Sequence, residues 1–284
     1  MNLPWQAVDH ALLSVVVAVY NEEGNVAPLA NEIVVALRGA TRFELIFVDD
    51  SSSDGTRSVL ESMKTSIPEL RSVRHAANYG QSAAVRSGVV EAKGAWVVTL
   101  DGDGQNDPVD IPKLLERRTA ASGRVKLFAG WRVQRKDSLS KRLASRVANA
   151  IRGRLLNDGT PDTGCGIKLF EREAFLSLPY FDHMHRFLPA LMQRAGWQTV
   201  SVPVSHRPRV RGASKYNNLG RAIVGVSDLL GVAWLMRRSR VVHLEQNQDL
   251  QPTDQYGATA QLREHPRHAP ACRTVGAQHL MRNE

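Results

Sequence analysis

The chain has 284 residues, 43% apolar and 23% charged, enough to bury a full core as one large domain with at most a small appendage. Two cysteines, Cys165 and Cys272, exclude a disulfide framework and suit a reducing compartment. No stretch reaches the ~20 uninterrupted apolar residues of a membrane span, and the net charge of +9 calls for an anionic partner: nucleic acid, a phosphorylated ligand or acidic lipid.

In chain order, the β-branched run 12–19 follows Asp9 without a basic leader, so it reads as a first strand and not as a signal peptide. It empties into the polar loop Tyr20-Asn21-Glu22-Glu23-Gly24-Asn25. A second apolar run, 43–48, closes on Asp49-Asp50 and then on a Ser/Asp/Gly turn suited to capping a helix over 57–64. A third, Val97-Val98-Thr99-Leu100, ends in Asp101-Gly102-Asp103-Gly104-Gln105. Strand, polar loop and helix thus recur three times, at spacings that predict βα units around a parallel sheet. Ligands of such sheets sit beyond the carboxyl ends of the strands, where these acidic loops fall. Asp-x-Asp at a strand end offers hard oxygens to Mg²⁺ or Mn²⁺, although Asp and Gly are also ordinary turn residues.

Between Arg117 and Arg154, twelve basic residues are opposed by Asp137 alone. Within that interval, residues 138–156 place Leu139, Leu143, Val147 and Ile151 on one helical stripe. Such a face serves either as a solvated surface or as a contact for anionic lipid or phosphate. No nucleic-acid fold signature accompanies the charge, which disfavours a nucleic-acid partner. Residues 217–240 carry a further stripe (Leu219, Ala222, Ile223, Val226, Leu229, Leu230, Ala233), with Trp234 near its end and Arg237, Arg238 and Arg240 closing it. That pattern suits a helix lying in a membrane interface, and equally one packed on the protein's own core. Residues 241–284 are polar and aperiodic, the profile of a disordered tail; His265, His268 and His279 fit no metal-site spacing.

The motifs Val19-Tyr20-Asn21-Glu22-Glu23, Val48-Asp49-Asp50-Ser51-Ser52-Ser53-Asp54-Gly55-Thr56, Asn78-Tyr79-Gly80 and Asp101-Gly102-Asp103-Gly104-Gln105 occur in the order that resembles family 2 glycosyltransferases of GT-A fold. More narrowly they resemble the polyprenyl-phosphate sugar transferases, the group of dolichyl-phosphate mannose synthase. That group's later signature is matched by His206-Arg207-Pro208-Arg209-Val210-Arg211-Gly212-Ala213-Ser214-Lys215-Tyr216, so the resemblance spans about residues 12–238. The dolichyl enzymes usually carry Asp-Ala-Asp-Leu-Gln followed by prolines. Glycines here replace the Ala and Leu, and Asn106-Asp107-Pro108 follows, so the donor sugar does not carry over.

The resemblance implies a mostly parallel α/β GT-A domain over residues 1–216, an amphipathic interfacial helix over 217–240 and the tail. It implies a nucleotide-sugar donor, UDP- or GDP-linked, whose base and ribose lie over Tyr20, Asn21, Glu22, Asp50 and Ser52. Tyr20 as a core aromatic and Asp50 as a helix cap are the plainer alternatives. Asp103, with Asp101 and Gln105, is expected to hold Mg²⁺ or Mn²⁺ against the leaving diphosphate. A lipid-phosphate acceptor is already ionised and needs positioning rather than a base, a task assigned to Arg132, Arg135, Arg209, Ser214 and Lys215. Asp162 stands where either a base or a sugar-hydroxyl contact is supplied, and the sequence does not separate those roles. Cys165 has no activating partner and reads as a packed side chain. The expected activity is inverting sugar transfer to a polyprenyl phosphate for cell-envelope glycans, by a protein peripheral to the cytoplasmic membrane face. The alternatives are a family 2 enzyme using a glycan hydroxyl and a non-catalytic binding protein of the same fold. Sugar-nucleotide synthesis lacks its glycine-rich loop, since Tyr20-Asn21-Glu22-Glu23 stands after the first strand. Oligomeric state is not legible.

Overall fold

The computed structural model describes residues 9–133, 152–208 and 218–238. Four strand–helix units open the chain: β1 (Asp9–Val19) with α1 (Glu23–Leu37), β2 (Arg42–Asp49) with α2 (Thr56–Met63), β3 (Leu70–Arg74) with α3 (Gln81–Glu91), and β4 (Gly94–Asp101) with α4 (Ile111–Thr119). A 3-10 turn at Pro108–Asp110 leads into α4. Then come β5 (Val125–Arg132), β6 (Lys168–Glu171), α5 (Arg172–Leu176), a second 3-10 turn (Met184–Arg186), α6 (Leu188–Arg194), β7 (Gln198–Val204) and α7 (Asn218–Arg238).

The strands form one sheet in the order β3-β2-β1-β4-β6-β5-β7. Among the described strands only β6 runs antiparallel to its neighbours β4 and β5; β1 pairs in parallel with both β2 and β4, and β5 with β7. This is the expected mostly parallel α/β sheet. Its central strands read as continuous apolar runs because both faces are covered. Val15, Val17, Leu45, Phe47, Val98 and Leu100 face one core layer with Leu29, Ile33, Leu60 and Leu114. The alternate residues Val16, Ile46, Val48 and Val97 face a second layer built on Val85, Val89, Phe170, Phe175 and Leu191. From β1 the chain winds outward through β2 and β3, then returns to place β4 on the other flank of β1. The crevice at such a reversal is where α/β sheets bind ligands.

The first strand begins at Asp9 rather than residue 12, and the helix expected over 57–64 occupies Thr56–Met63. The stripe expected over 138–156 lies mostly outside the described residues, which resume with helical residues 152–156. The 241–284 tail also lies outside them. Helix α7 falls within the span expected for an interfacial helix, and it shows two apolar faces. Val232 and Ala233 are buried in the second core layer, whereas Val226, Leu230 and Trp234 are 59%, 59% and 61% exposed. No helix among the described residues is long and apolar enough to cross a membrane.

Candidate active site

The loops after β1, β2 and β4 enclose one end of a cavity of about 570 Å³, whose far side is formed by residues 163–168 and the Met184–Arg186 turn. Tyr20, Glu22, Asp50 and Asn78 line the first wall. Asp50 is buried yet fully engaged: it accepts from the Tyr79 and Gly80 amides at 2.9 and 2.8 Å, and His75 Nδ1 lies 2.7 Å away. Gly80 adopts φ +88°, a conformation in which side chains are strained. Asp50 therefore fixes the loop that starts α3 rather than capping α2, where Asp54 Oδ1 accepts from the Thr56 amide at 3.0 Å. Asn21 and Ser52 stand behind the wall and tie its loops together. The Asn21 amide donates to Ser52 Oγ at 2.9 Å, and Asn21 Oδ1 accepts from the Ser53 amide at 2.7 Å.

The floor is the Asp-x-Asp loop. Asn106 Oδ1 accepts from the Asp101 amide at 2.9 Å, Gln81 Nε2 donates to Asp101 Oδ1 at 2.7 Å, and the Gln105 amide donates to Asp103 Oδ1 at 3.1 Å. Gln105 also lines the cavity, and its side-chain amide reaches the Arg207 carbonyl at 3.5 Å. Gly166 lies directly over this floor. A Cβ there would sit 2.2 Å from Asp101 Oδ2 and 2.6 Å from Asn106 Oδ1, so no larger residue fits without displacing the carboxylate. Burial, reinforced by Asp103, raises the Asp101 carboxyl above its ordinary value. Two crowded carboxylates of this kind are the hard-oxygen set that suits a divalent cation. Among the described residues no three His, Cys, Asp or Glu side chains group as a metal cage. Mg²⁺ in phosphate sites commonly takes one or two carboxylates and fills the rest of its shell with water and substrate oxygens.

The far wall is cationic. Arg132 Nε and Nη2 grip Asp162 Oδ2 and Oδ1 at 2.6 and 2.8 Å, and the Gly164 amide adds a bond to Oδ1 at 3.1 Å. Burial works against the Arg132 charge, but Asp162 more than offsets it and holds the guanidinium above its ordinary value. Lys168 sits in β6 at the cavity wall, donating to the Cys165 carbonyl; burial pushes its ammonium below the ordinary lysine value despite the nearby Cys165, Asp101 and Asp162. His185 and Arg186 complete the wall. Burial, together with Lys168 and Arg186, keeps the His185 imidazole well below its ordinary value and therefore neutral. Burial pushes the Cys165 thiol up, as an inert packed cysteine requires.

Of the residues expected from sequence, the cavity gathers Tyr20, Glu22, Asp50, Asp101, Asp103, Gln105 and Arg132. Asn21, Ser52 and Asp162 act one step behind it. Arg135, Arg209, Ser214 and Lys215 lie outside the described residues. Gln81, Gly166, Lys168, His185 and Arg186 were missed, because none falls in a strand-end acidic motif.

Residues 14–178 match the family model described as glycosyl transferase family 2. The chain is 36% identical over 252 residues to a dodecaprenyl-phosphate galacturonate synthase of Rhizobium johnstonii, covering 83% of this chain and 70% of that protein. It is 32% identical over 206 residues to an undecaprenyl-phosphate 4-deoxy-4-formamido-L-arabinose transferase of Edwardsiella ictaluri, covering 72% of this chain and 62% of that relative. Among solved structures, a mannosyltransferase of Pyrobaculum calidifontis in complex with GDP-Man and Mn²⁺ aligns with a TM-score of 0.60 at 21% identity, covering 81% of this chain and 65% of that one. Glucosyl-3-phosphoglycerate synthase of Mycobacterium tuberculosis, in complex with Mg²⁺ and UDP, also gives 0.60, at 16% identity, covering 80% and 79% of the two chains. At these identities the two structures bear on the fold alone.

Proposed function

The chain belongs to the family 2 glycosyltransferases, with the GT-A fold, and we propose that it transfers a sugar from a nucleotide-sugar to a polyprenyl phosphate, with inversion at the anomeric carbon. The observation that carries the acceptor choice is the Arg132–Asp162 pair. A hydroxyl acceptor needs a general base beside the anomeric carbon. Asp162, the carboxylate suggested for that role, spends both oxygens on the Arg132 fork and accepts from the Gly164 amide as well. Its part is to hold Arg132 toward the cavity. A phosphate acceptor is already ionised, so cations on the acceptor side serve it better than a base. The two named relatives, which carry polyprenyl phosphate in their names, support the same reading.

In this reading Tyr20, Glu22 and Asn78 receive the nucleoside, with Asp50 holding the 78–80 loop that faces it. Asp101 and Asp103 would hold Mg²⁺ or Mn²⁺, which supplies charge neutralisation for the departing nucleoside diphosphate. Gln105 borders that site. Arg132 and Lys168 face the reacting end, and Arg135, Arg209, Ser214 and Lys215 complete the acceptor machinery. An acceptor phosphate oxygen attacks the anomeric carbon as the bond from that carbon to the donor phosphate breaks; one displacement inverts the centre and releases the nucleoside diphosphate. The outward face of α7, with Val226, Leu230, Trp234 and the terminal Arg237 and Arg238, rests on the anionic membrane surface that holds the acceptor. Residues 1–216 form the catalytic unit, and the protein is peripheral to the cytoplasmic membrane face.

Transfer of label from a panel of UDP- and GDP-sugars to undecaprenyl phosphate tests this. The account expects a lipid-extractable product that requires Mg²⁺ or Mn²⁺ and is lost in Asp103→Ala. Donor binding with no label in the lipid fraction would overturn it.

A further inference from the structure

The Met184–Arg186 turn joins three parts of the molecule. On one side it is locked to the start of α3: Ser82 Oγ and His185 Nδ1 lie 2.7 Å apart, and the His185 amide donates back to the same oxygen at 3.4 Å. Ser82 is itself buried and follows Gln81, the residue that donates to Asp101. On the other side, His183 Nδ1 lies 3.0 Å from Asp228 Oδ2 of α7. Met184 and Phe187 share the core layer that takes up Val232 and Ala233 of the same helix. Between these anchors, His185 and Arg186 face the cavity.

An acceptor whose phosphate is carried on a long apolar chain has to present that phosphate from the side where the protein meets the lipid. The exposed stripe Val226, Leu230 and Trp234 marks that side, and the turn is the described segment that joins α7 to the cavity. Arg132, gripped by Asp162, enters the cavity from the end of β5. Lys168 is nearly enclosed in β6 and bonded to the Cys165 carbonyl. Arg186 is the cavity cation carried on the segment nearest α7.

From this arrangement, and resting on the phosphate-acceptor reading above, we propose that Arg186 binds the acceptor phosphate and that Ser82 and His185 are positioning residues that aim it. The ligand is a phosphate monoester on a lipid, not the donor's diphosphate. The bond of His185 to Ser82 ties the turn that carries Arg186 to the first turn of α3, where Gln81 donates to Asp101, so acceptor and Asp-x-Asp floor are registered through that turn.

The full-length protein, Arg186→Gln, Arg186→Lys and Ser82→Ala are compared in detergent with undecaprenyl phosphate as the varied substrate, alongside calorimetric titration with the nucleotide-sugar. Arg186→Gln is expected to raise the acceptor KM by about tenfold or more, the loss of one charge-assisted phosphate contact. Arg186→Lys should fall between it and wild type, and Ser82→Ala should shift the acceptor KM by a few-fold. Donor affinity should stay within about twofold throughout, because the proposal gives these groups to the acceptor. Weakened donor binding with an unchanged acceptor KM would overturn the assignment and give Arg186 to the leaving diphosphate. Wild-type transfer with unchanged acceptor KM in Arg186→Gln and Arg186→Lys would also overturn it, leaving the parent reading intact. A wild type that binds donor yet never labels the lipid overturns both.

Discussion

The wall of the cavity made by β1, β2 and β4 and the wall made by residues 132–186 solve opposite electrostatic problems by different structural means. On the first, carboxylates stand at the ends of adjacent parallel strands and are held from the loop before α3 and its first turn, Asp50 by the Tyr79 and Gly80 amides with His75 beside them and Asp101 by Gln81. On the second, cations are carried by an antiparallel strand, by the end of β5 and by a 3-10 turn; Arg132 is held by the distant Asp162 and the turn bearing Arg186 by the distant Ser82, while Lys168 donates to the Cys165 carbonyl three residues away. Loops that recur after successive strands can hold a nucleotide and a metal with local devices. The cationic wall relies instead on pairing across long stretches of chain, at Arg132 and at the 3-10 turn.

Removing the floor that both walls share should have the largest effect. Asp103→Ala is expected to lower transfer by about a thousandfold, the upper range for loss of one electrostatic stabiliser, with the thermal midpoint nearly unchanged, as read by initial rates and calorimetry. Gly166→Ala comes next. Its Cβ would meet Asp101 Oδ2 at 2.2 Å, so kcat/KM should fall by about a hundredfold, and unchanged activity would show that the floor tolerates displacement. Asp162→Asn sharpens the contrast between walls. As a holder of Arg132, Asp162 should give an activity loss of about ten- to a hundredfold that is strongly non-additive with Arg132→Gln in a double-mutant cycle. An acting base would instead remove a limb of the pH–rate profile. Asp50→Ala leaves the three partners of a buried carboxylate short of an acceptor, at a cost of about 1–3 kcal/mol in chemical denaturation. Donor KM should rise by about tenfold as the 78–80 loop loses its anchor, while acceptor KM stays put.

The smallest effect is on stability against pH. Burial, with Lys168, Arg186 and His183 nearby, holds His185 well below 6.5 in the folded chain. The unfolded chain therefore takes up the proton first, and stability falls as the pH drops below about 6.5, by at most about 1.4 kcal/mol per pH unit. His185→Gln should flatten that part of the stability curve, and an unchanged slope would show that the imidazole does not titrate there.

The same contrast explains how much was legible in the sequence. Strands β1, β2 and β4 announce themselves as apolar runs ending in acid, and the crevice beyond them follows from the rules of parallel sheets. The β3–α3 unit was missed because Leu70-Arg71-Ser72-Val73-Arg74 is a short strand with only two apolar residues. Strand β6 is four residues long and begins with a buried lysine, a pattern that hydropathy alone assigns to a loop. Arg186 and His185 sit in a short turn without a glycine or acidic signature, and their link to Ser82 crosses 103 residues. Ser52 and Asn21 are expected from the motif as donor contacts; that they also brace one another across two loops is a feature that only side-chain geometry carries.

The most direct test offers the protein undecaprenyl phosphate and undecaprenol in parallel, with the same labelled nucleotide-sugar and divalent ion. A wall built to hold an ionised oxygen, with Asp162 locked to Arg132, predicts label in the phosphate-linked lipid and none in the alcohol. Comparable transfer to undecaprenol, or to a soluble glycan hydroxyl, would contradict the account and return Asp162 to the role of base.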